Sequence, residues 1–204
     1  QNDLQSYLME AEVKEKSLIR FYYDHRMQMF DRHSYQKGGR VLHMLRKYVG
    51  DEAFFLSLRH YLNENAFTSV EIHNLRLAFE EVVGEDLNWF FNQWFLEKGH
   101  PVLSTSWEYN KSTKKLSLSL KQIQTGEDIV RVFKLPMYVD MYIGDRAIRE
   151  RIIMDQREQE FEFSLDQQPD LVNVDAEKML LAEFVEQKSV AEWRALYECG
   201  GNYL

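Results

Sequence analysis

Phe95-Leu96-Glu97-Lys98-Gly99-His100-Pro101-Val102-Leu103 is where this chain changes character. Before it, apolar residues recur every three or four positions; after it they recur every second position. The first period is that of helices buried on one face, the second that of strands with one buried face. The Gly-His-Pro step thus separates a helical half from a β half.

Working back from the step, a last helix runs from about Asp86 through Leu87, Phe90, Phe91, Trp94 and Phe95 to Gly99. With Trp89, this aromatic cluster has helical spacing, and core packing accounts for it. Ser69 caps an earlier helix carrying Ile72, Leu75, Phe79, Val82 and Val83, stopped by Gly84. Asp51 caps one with Phe54, Phe55, Leu58, Tyr61 and Leu62. Ser34 caps one with Val41, Leu42, Leu45, Tyr48 and Val49, ended by Gly50. Asp3 caps the first, with Leu4, Tyr7, Leu8 and Ala11. Leu18 to Tyr23 is irregular or extended. Short loops join the five helices, as in compact helical domains.

Working forward, Leu116, Leu118 and Leu120 alternate with Ser117, Ser119 and Lys121. Phe133, Leu135, Met137, Val139, Met141 and Ile143 point one way. Gly144-Asp145 is a hairpin signal and Asn110-Lys111-Ser112 a weaker one. Further strands fit Ile148–Met154, Glu160–Leu165, Leu171–Val174 and Met179–Val185. With the strand from Val102, seven short strands predict an antiparallel sandwich. After Lys188 a helix resumes, with Ser189 capping Val190, Trp193, Leu196 and Tyr197. The expected organisation is α+β in two domains: a helical bundle over residues 1–100 and a β-sandwich over 101–187. Residues 188–204 begin a further helical segment.

Hydrophobic residues make up 45% and charged residues 28% of the 204 positions, which argues for a folded chain. The formal charge of −8 argues against nucleic acid or an anionic membrane as main partner. No apolar run approaches the ~18 residues of a membrane span. The lone Cys199 cannot close an intrachain disulfide. Nothing assigns a compartment. Because the chain opens on Gln1 rather than Met, an excised piece of a longer protein is expected.

Chemistry concentrates in Tyr35-Gln36-Lys37-Gly38-Gly39. Two glycines opening a helix weaken its first turn by roughly 1 kcal/mol each relative to Ala. Close approach of another backbone or a ligand is the usual reason for such residues. A phenol at a helix N-terminus can donate to an anionic oxygen; the commoner role is a bond across a packing contact. Of the six histidines, His33 precedes Tyr35 by two and is expected in a loop or cap, and His43 at the buried edge of its helix. No His-Glu-x-x-His, Gly-x-Ser-x-Gly or phosphate-cradling motif occurs. Adjacent Glu80 and Glu81 point in different directions on their helix and are no acid/base pair. Charges alternating from Arg146 to Glu162 fit a solvated sheet face.

Met29-Phe30-Asp31-Arg32-His33-Ser34-Tyr35-Gln36-Lys37-Gly38-Gly39-Arg40-Val41-Leu42-His43-Met44-Leu45-Arg46 resembles the Tyr-x-Lys-Gly segment of the zinc aminopeptidases related to aminopeptidase N and leukotriene hydrolase, the gluzincins. The resemblance continues in order through Val49-Gly50-Asp51-Glu52-Ala53-Phe54, Leu58-Arg59, Tyr61-Leu62, Leu87-Asn88-Trp89-Phe90-Phe91-Asn92-Gln93-Trp94 and Gly99-His100-Pro101. It covers about residues 18–103. It implies that the bundle is the second half of a thermolysin-like catalytic domain and the sandwich the immunoglobulin-like domain that follows. It also implies a peptide substrate and zinc in the parent protein. There Tyr35 would steady the tetrahedral oxyanion formed when zinc-bound water attacks the peptide carbonyl.

The family's His-Glu-x-x-His…Glu set and Gly-x-Met-Glu-Asn loop, both N-terminal to this region, are absent. The resemblance therefore predicts a fragment that binds no zinc, cleaves nothing alone, and has the other half of the catalytic domain as its partner. A non-catalytic scaffold or binding module of the same fold is the alternative.

Overall fold

The computed structural model describes residues 2–186 and Glu192. The chain divides into two compact units. The first runs through Gly99 and takes in Glu127–Val130; the second comprises the rest.

In the first unit, α1 (Asn2–Ala11) is followed by irregular chain and a 3-10 turn at Arg26–Met29. A π-helical turn, His33–Lys37, runs directly into α2 (Gly38–Val49). Then come α3 (Asp51–Glu64), α4 (Ile72–Val83) and α5 (Asn88–Phe91), which continues into a second π-helical turn at Asn92–Leu96. The core holds Tyr7, Val41, Leu45, Phe79, Leu87 and the aromatic run Phe90, Phe91, Trp94 and Phe95. Helix α3 meets α4 through Phe54, set edge-on to Phe79 at 5.5 Å, and Phe91 stacks on Phe95 at 4.8 Å.

Four helix starts differ from expectation. Ser34 lies inside the π turn, where its N–H donates to the Asp31 carboxylate at 2.9 Å, so Asp31 performs the cap. Ser69 lies outside α4, because Glu71 and Asn74 exchange bonds deeper in the chain; the Glu71 N–H donates to Asn74 Oδ1 at 2.8 Å. Asp51 is the first residue of α3 behind Gly50 (φ 87°), and its carboxylate pairs with Arg46. Asp3 likewise sits within α1. The single helix expected from Asp86 to Gly99 is α5 plus the π turn, ending at Leu96.

The second unit has two sheets. One has the order β5-β2-β1-β7, the other β4-β3-β6. The strands are β1 (Val102–Asn110), β2 (Lys115–Gln122), β3 (Leu135–Ile143), β4 (Arg146–Met154), β5 (Glu158–Ser164), β6 (Leu171–Val174) and β7 (Glu183–Glu186). Leu116, Leu118 and Leu120 of β2 and Leu135, Met137, Val139 and Met141 of β3 are buried; Ile143, at the hairpin tip, is only half-buried. Paired charges line the outer face of β2 and β5, Lys115 with Glu162 at 2.7 Å and Lys121 with Glu158 at 3.1 Å.

The expected antiparallel sandwich needs one correction. Strand β7 pairs with β1 in parallel, from Val102↔Glu183 to Thr105↔Glu186. The chain reaches β1 from β6 in the other sheet, so no hairpin dictates its direction. Strand β7 is also shorter than expected. Met179 to Ala182 are buried but not extended, because the Asp175 carboxylate accepts the N–H groups of Met179 (3.0 Å) and Leu180 (2.9 Å) and holds a loop. The helix expected from Ser189 and the segment 188–204, Cys199 included, lie outside the described residues, except Glu192, which accepts from Trp107 Nε1 at 2.9 Å. Among the described residues, no helix is long and apolar enough to cross a membrane.

Candidate functional site

The site begins with the turn His33-Ser34-Tyr35-Gln36-Lys37. Its π character comes from Gly38, whose N–H donates to the carbonyl of His33, five residues back. Such insertions widen one turn of a helix and re-aim its side chains. Here His33 and Lys37 point inward with no exposed surface, while Tyr35 between them is 60% exposed. The Tyr35 ring lies 5.9 Å from that of Phe30, and among the described residues its hydroxyl makes no hydrogen bond. Tyr35, Gly39 and His43, four residues apart in turn, are all exposed and form one stripe.

The inner side is a polar assembly. His33 Nδ1 is 2.8 Å from Glu10 Oε2, and its Nε2 accepts the Lys16 N–H at 3.3 Å. The imidazole is therefore neutral, with its proton on Nδ1; burial holds its pKa below the ordinary value despite Glu10. The ring also stands edge-on to Tyr7 at 5.2 Å. Asp31 accepts from Arg20, from Lys16 Nζ at 2.8 Å and from the Ser34 N–H. Burial raises the Asp31 pKa, but bonds from Arg20 and Lys16 outweigh it and hold the carboxyl well below the usual range. Lys37 Nζ donates to the Gly99 carbonyl at 3.3 Å and lies 5.8 Å from the Tyr7 ring centroid. Burial lowers its pKa to about 8, with Glu15 opposing.

Glu10, Asp31 and His33 bring ligand atoms within 4.8 Å of one another, the spacing of a metal site. The donor set does not fit zinc. A zinc ligand must offer a free imidazole lone pair, and that of His33 already takes the Lys16 N–H. Asp31 is neutralised by two cations. A zinc ion would have to be held by other residues.

Two expectations for histidines change. His33 is a buried strut between α1 and the turn rather than a loop residue, and His43 is exposed rather than at a buried edge. Within this chain the two glycines have room around them. A Cβ at Gly38 would meet Leu18 Cδ1 at 3.5 Å, an ordinary contact, and one at Gly39 would meet nothing within 4 Å. Among the described residues, no close approach demands either glycine.

Sequence reasoning passed over Glu10, Arg20 and the inward role of Lys37. Asp31 alone had a local signal: an acidic residue three before Ser34 is a capping pattern. The others meet across 23 residues (Glu10 and His33) or 62 (Lys37 and Gly99), distances at which no local pattern speaks.

Residues 4–94 match the family model described as the peptidase family M1 domain. Aminopeptidase N of Lactococcus lactis is 36% identical over 105 residues, 50% of this chain and 12% of that protein. Aminopeptidase M1 of Arabidopsis thaliana is 34% identical over 100 residues, 49% of this chain and 11% of that protein. Tricorn protease-interacting factor F2 of Thermoplasma volcanium is 34% identical over 114 residues, 56% and 13% of the two chains. The matched part thus spans about an eighth of the length of these relatives. The crystal structure of Legionella pneumophila aminopeptidase A in complex with aspartic acid superposes with a TM-score of 0.79 at 21% identity. It covers 98% of this chain and 23% of that one, and so supports the shared fold of both units.

Proposed function

We propose, from the premise that the helical unit of this chain belongs to peptidase family M1, that the chain is part of a zinc-dependent aminopeptidase. In that enzyme Tyr35 donates a hydrogen bond to the oxyanion of the substrate. Attack of water on a peptide carbonyl, its proton passing to a base, turns a neutral C=O into a tetrahedral carbon whose oxygen bears the negative charge. A fixed O–H aimed at that oxygen gains strength as the charge develops, which lowers the barrier rather than merely tightening substrate binding.

The observation that carries this reading is the exposure of the Tyr35 phenol on a turn whose other side is anchored. At 60% exposure a tyrosine contributes little to packing, while its backbone is held by buried His33 and Lys37. The stripe leading from Tyr35 through Gly39 has no Cβ at its middle position, which leaves room for an extended peptide backbone beside the phenol. The zinc ligands belong to the part of the enzyme outside this chain, and the chain alone is inactive and binds no stoichiometric zinc. Together with the remaining part of the catalytic domain it hydrolyses N-terminal residues from peptides.

In the full-length enzyme, Tyr35→Phe lowers kcat by about 10²–10³, the usual effect of losing an oxyanion donor, while zinc content is unchanged. Unaltered kcat in that variant removes Tyr35 from the mechanism. One zinc per chain retained by the 204-residue chain after dialysis overturns the placement of the ligands elsewhere.

A further inference from the structure

Lys37 is the most anomalous residue near the turn. Its side chain has no exposed surface, yet the contacts that it makes, the Gly99 carbonyl at 3.3 Å and the face of Tyr7, are weak compensation for a desolvated ammonium. The charge of Glu15 favours its protonated form. Burying an ammonium against one carbonyl costs stability, and a methionine would fill the same space without that cost. Packing alone therefore does not account for a lysine.

Its place in the turn supplies a reason. In a π-helical turn, residues two apart project to nearly opposite sides. Tyr35 and Lys37 are such a pair, one exposed and one buried. The acceptor is itself fixed: Gly99 has φ +88°, a Cβ there would meet Ile129 at 3.1 Å, and neighbouring Lys98 is bridged to Ile129. Whatever holds Lys37 to Gly99 also fixes the rotation of the turn, and with it the direction of the phenol.

We propose that Lys37 is a positioning residue for Tyr35: its buried ammonium, fastened to the Gly99 carbonyl, sets the rotation of the π turn so that the phenol points where the oxyanion forms. This rests on the assignment of Tyr35 as oxyanion donor. The electrostatic part of the anchor belongs to the protonated amine, so it weakens as pH rises through the value near 8 at which Lys37 titrates. The ionisable groups that bear on Lys37 are Glu15, His33 and Tyr7.

The test is a double-mutant cycle in the full-length enzyme, using Lys37→Met, Tyr35→Phe and the double variant. Lys37→Met is expected to lower kcat about 10- to 10²-fold, the loss typical of a misplaced catalytic group. KM stays within about twofold and the melting temperature does not fall. In the Tyr35→Phe background the same change has no further effect on kcat, because the group that it aims is gone.

A full additional loss in that background overturns the proposal, as does unchanged kcat in Lys37→Met. Unchanged kcat in Tyr35→Phe instead overturns the underlying reading, so the two failures are distinguishable. Should Lys37→Met not fold, Lys37→Gln, which keeps an N–H donor on a shorter stem, is measured by the same criteria. If neither folds, Lys37 is a stability element and the proposal falls.

Discussion

Strand β2 and the turn His33–Lys37 obey opposite rules. In β2 Leu116, Leu118 and Leu120 are buried, followed at the strand end by Gln122, while the serines between them are half-buried and the lysines exposed. In the turn the buried residues are a histidine and a lysine, and the aromatic residue between them faces outward. From Leu116 to Lys121 the strand places each side chain where its hydrophobicity sends it. The turn inverts that order, and burying Lys37 there carries a desolvation cost that its local contacts only partly offset. Several local rules broken within one short turn are a signature of a functional site.

The contrast can be broken by experiment, beginning with the strand. Leu118→Ala is expected to destabilise the chain by about 2–5 kcal/mol in denaturant titration, as for other buried leucines. A loss under 1 kcal/mol would mean that the strand is not the conventional region described. On the turn side, Asp31→Asn leaves Arg20 and Lys16 facing a neutral amide and is expected to cost about 3 kcal/mol at pH 7. The Asp31 pKa is depressed on folding, so this contribution is complete above the unfolded value near ~4 and disappears as pH falls below it. A difference between wild type and Asp31→Asn that persists undiminished well below that pH rules out the ionic origin.

Lys37 gives a pH dependence of the same size. Its pKa falls from 10.5 to about 8 on folding, so between those values the unfolded chain holds a proton that the folded chain does not. Stability contributed by this group therefore rises with pH across that window, by roughly 3 kcal/mol. Comparing wild type with Lys37→Met isolates it; parallel stability curves from pH 8 to 10.5 would show the lysine to be solvated.

Smaller effects sharpen the comparison. Gly38→Ala is expected to stabilise the chain by about 0.5–1 kcal/mol, since the new methyl meets Leu18 at ordinary distance in a helical backbone. Destabilisation would reveal a close approach that these residues do not show. Tyr35→Phe is expected to change the stability of the chain by less than about 0.5 kcal/mol, as at other exposed positions. A larger loss would make the phenol a structural residue and end the contrast with β2.

The same contrast explains what the sequence could tell. The buried faces of β2 and β3 were legible because alternation is a local property, fixed by the pleat itself. The helices α2, α3 and α4 were legible for the equivalent reason, although their first residues were not: Glu71 with Asn74 and Asp31 with Ser34 outcompeted the serines that looked like caps. Tyr35 was conspicuous through its motif and its glycines. The assembly behind it was not, because Glu10, Lys16, Arg20 and Gly99 are remote in sequence and each is unremarkable alone. The parallel pairing of β7 with β1 escaped for the same cause, since it joins residues as far apart in sequence as Val102 and Glu183.

That pairing bears on how the protein is made. Val102 and Glu183 are partners in the ladder but 81 positions apart (183 − 102), so on the ribosome the first strand waits for the last. At ~5–20 residues per second the interval is roughly 4–16 seconds. Throughout it one flank of β1 presents bare amides and carbonyls to any passing strand. Nascent chains that stop before Glu183 are left with that flank open permanently, which marks them for chaperone capture or aggregation.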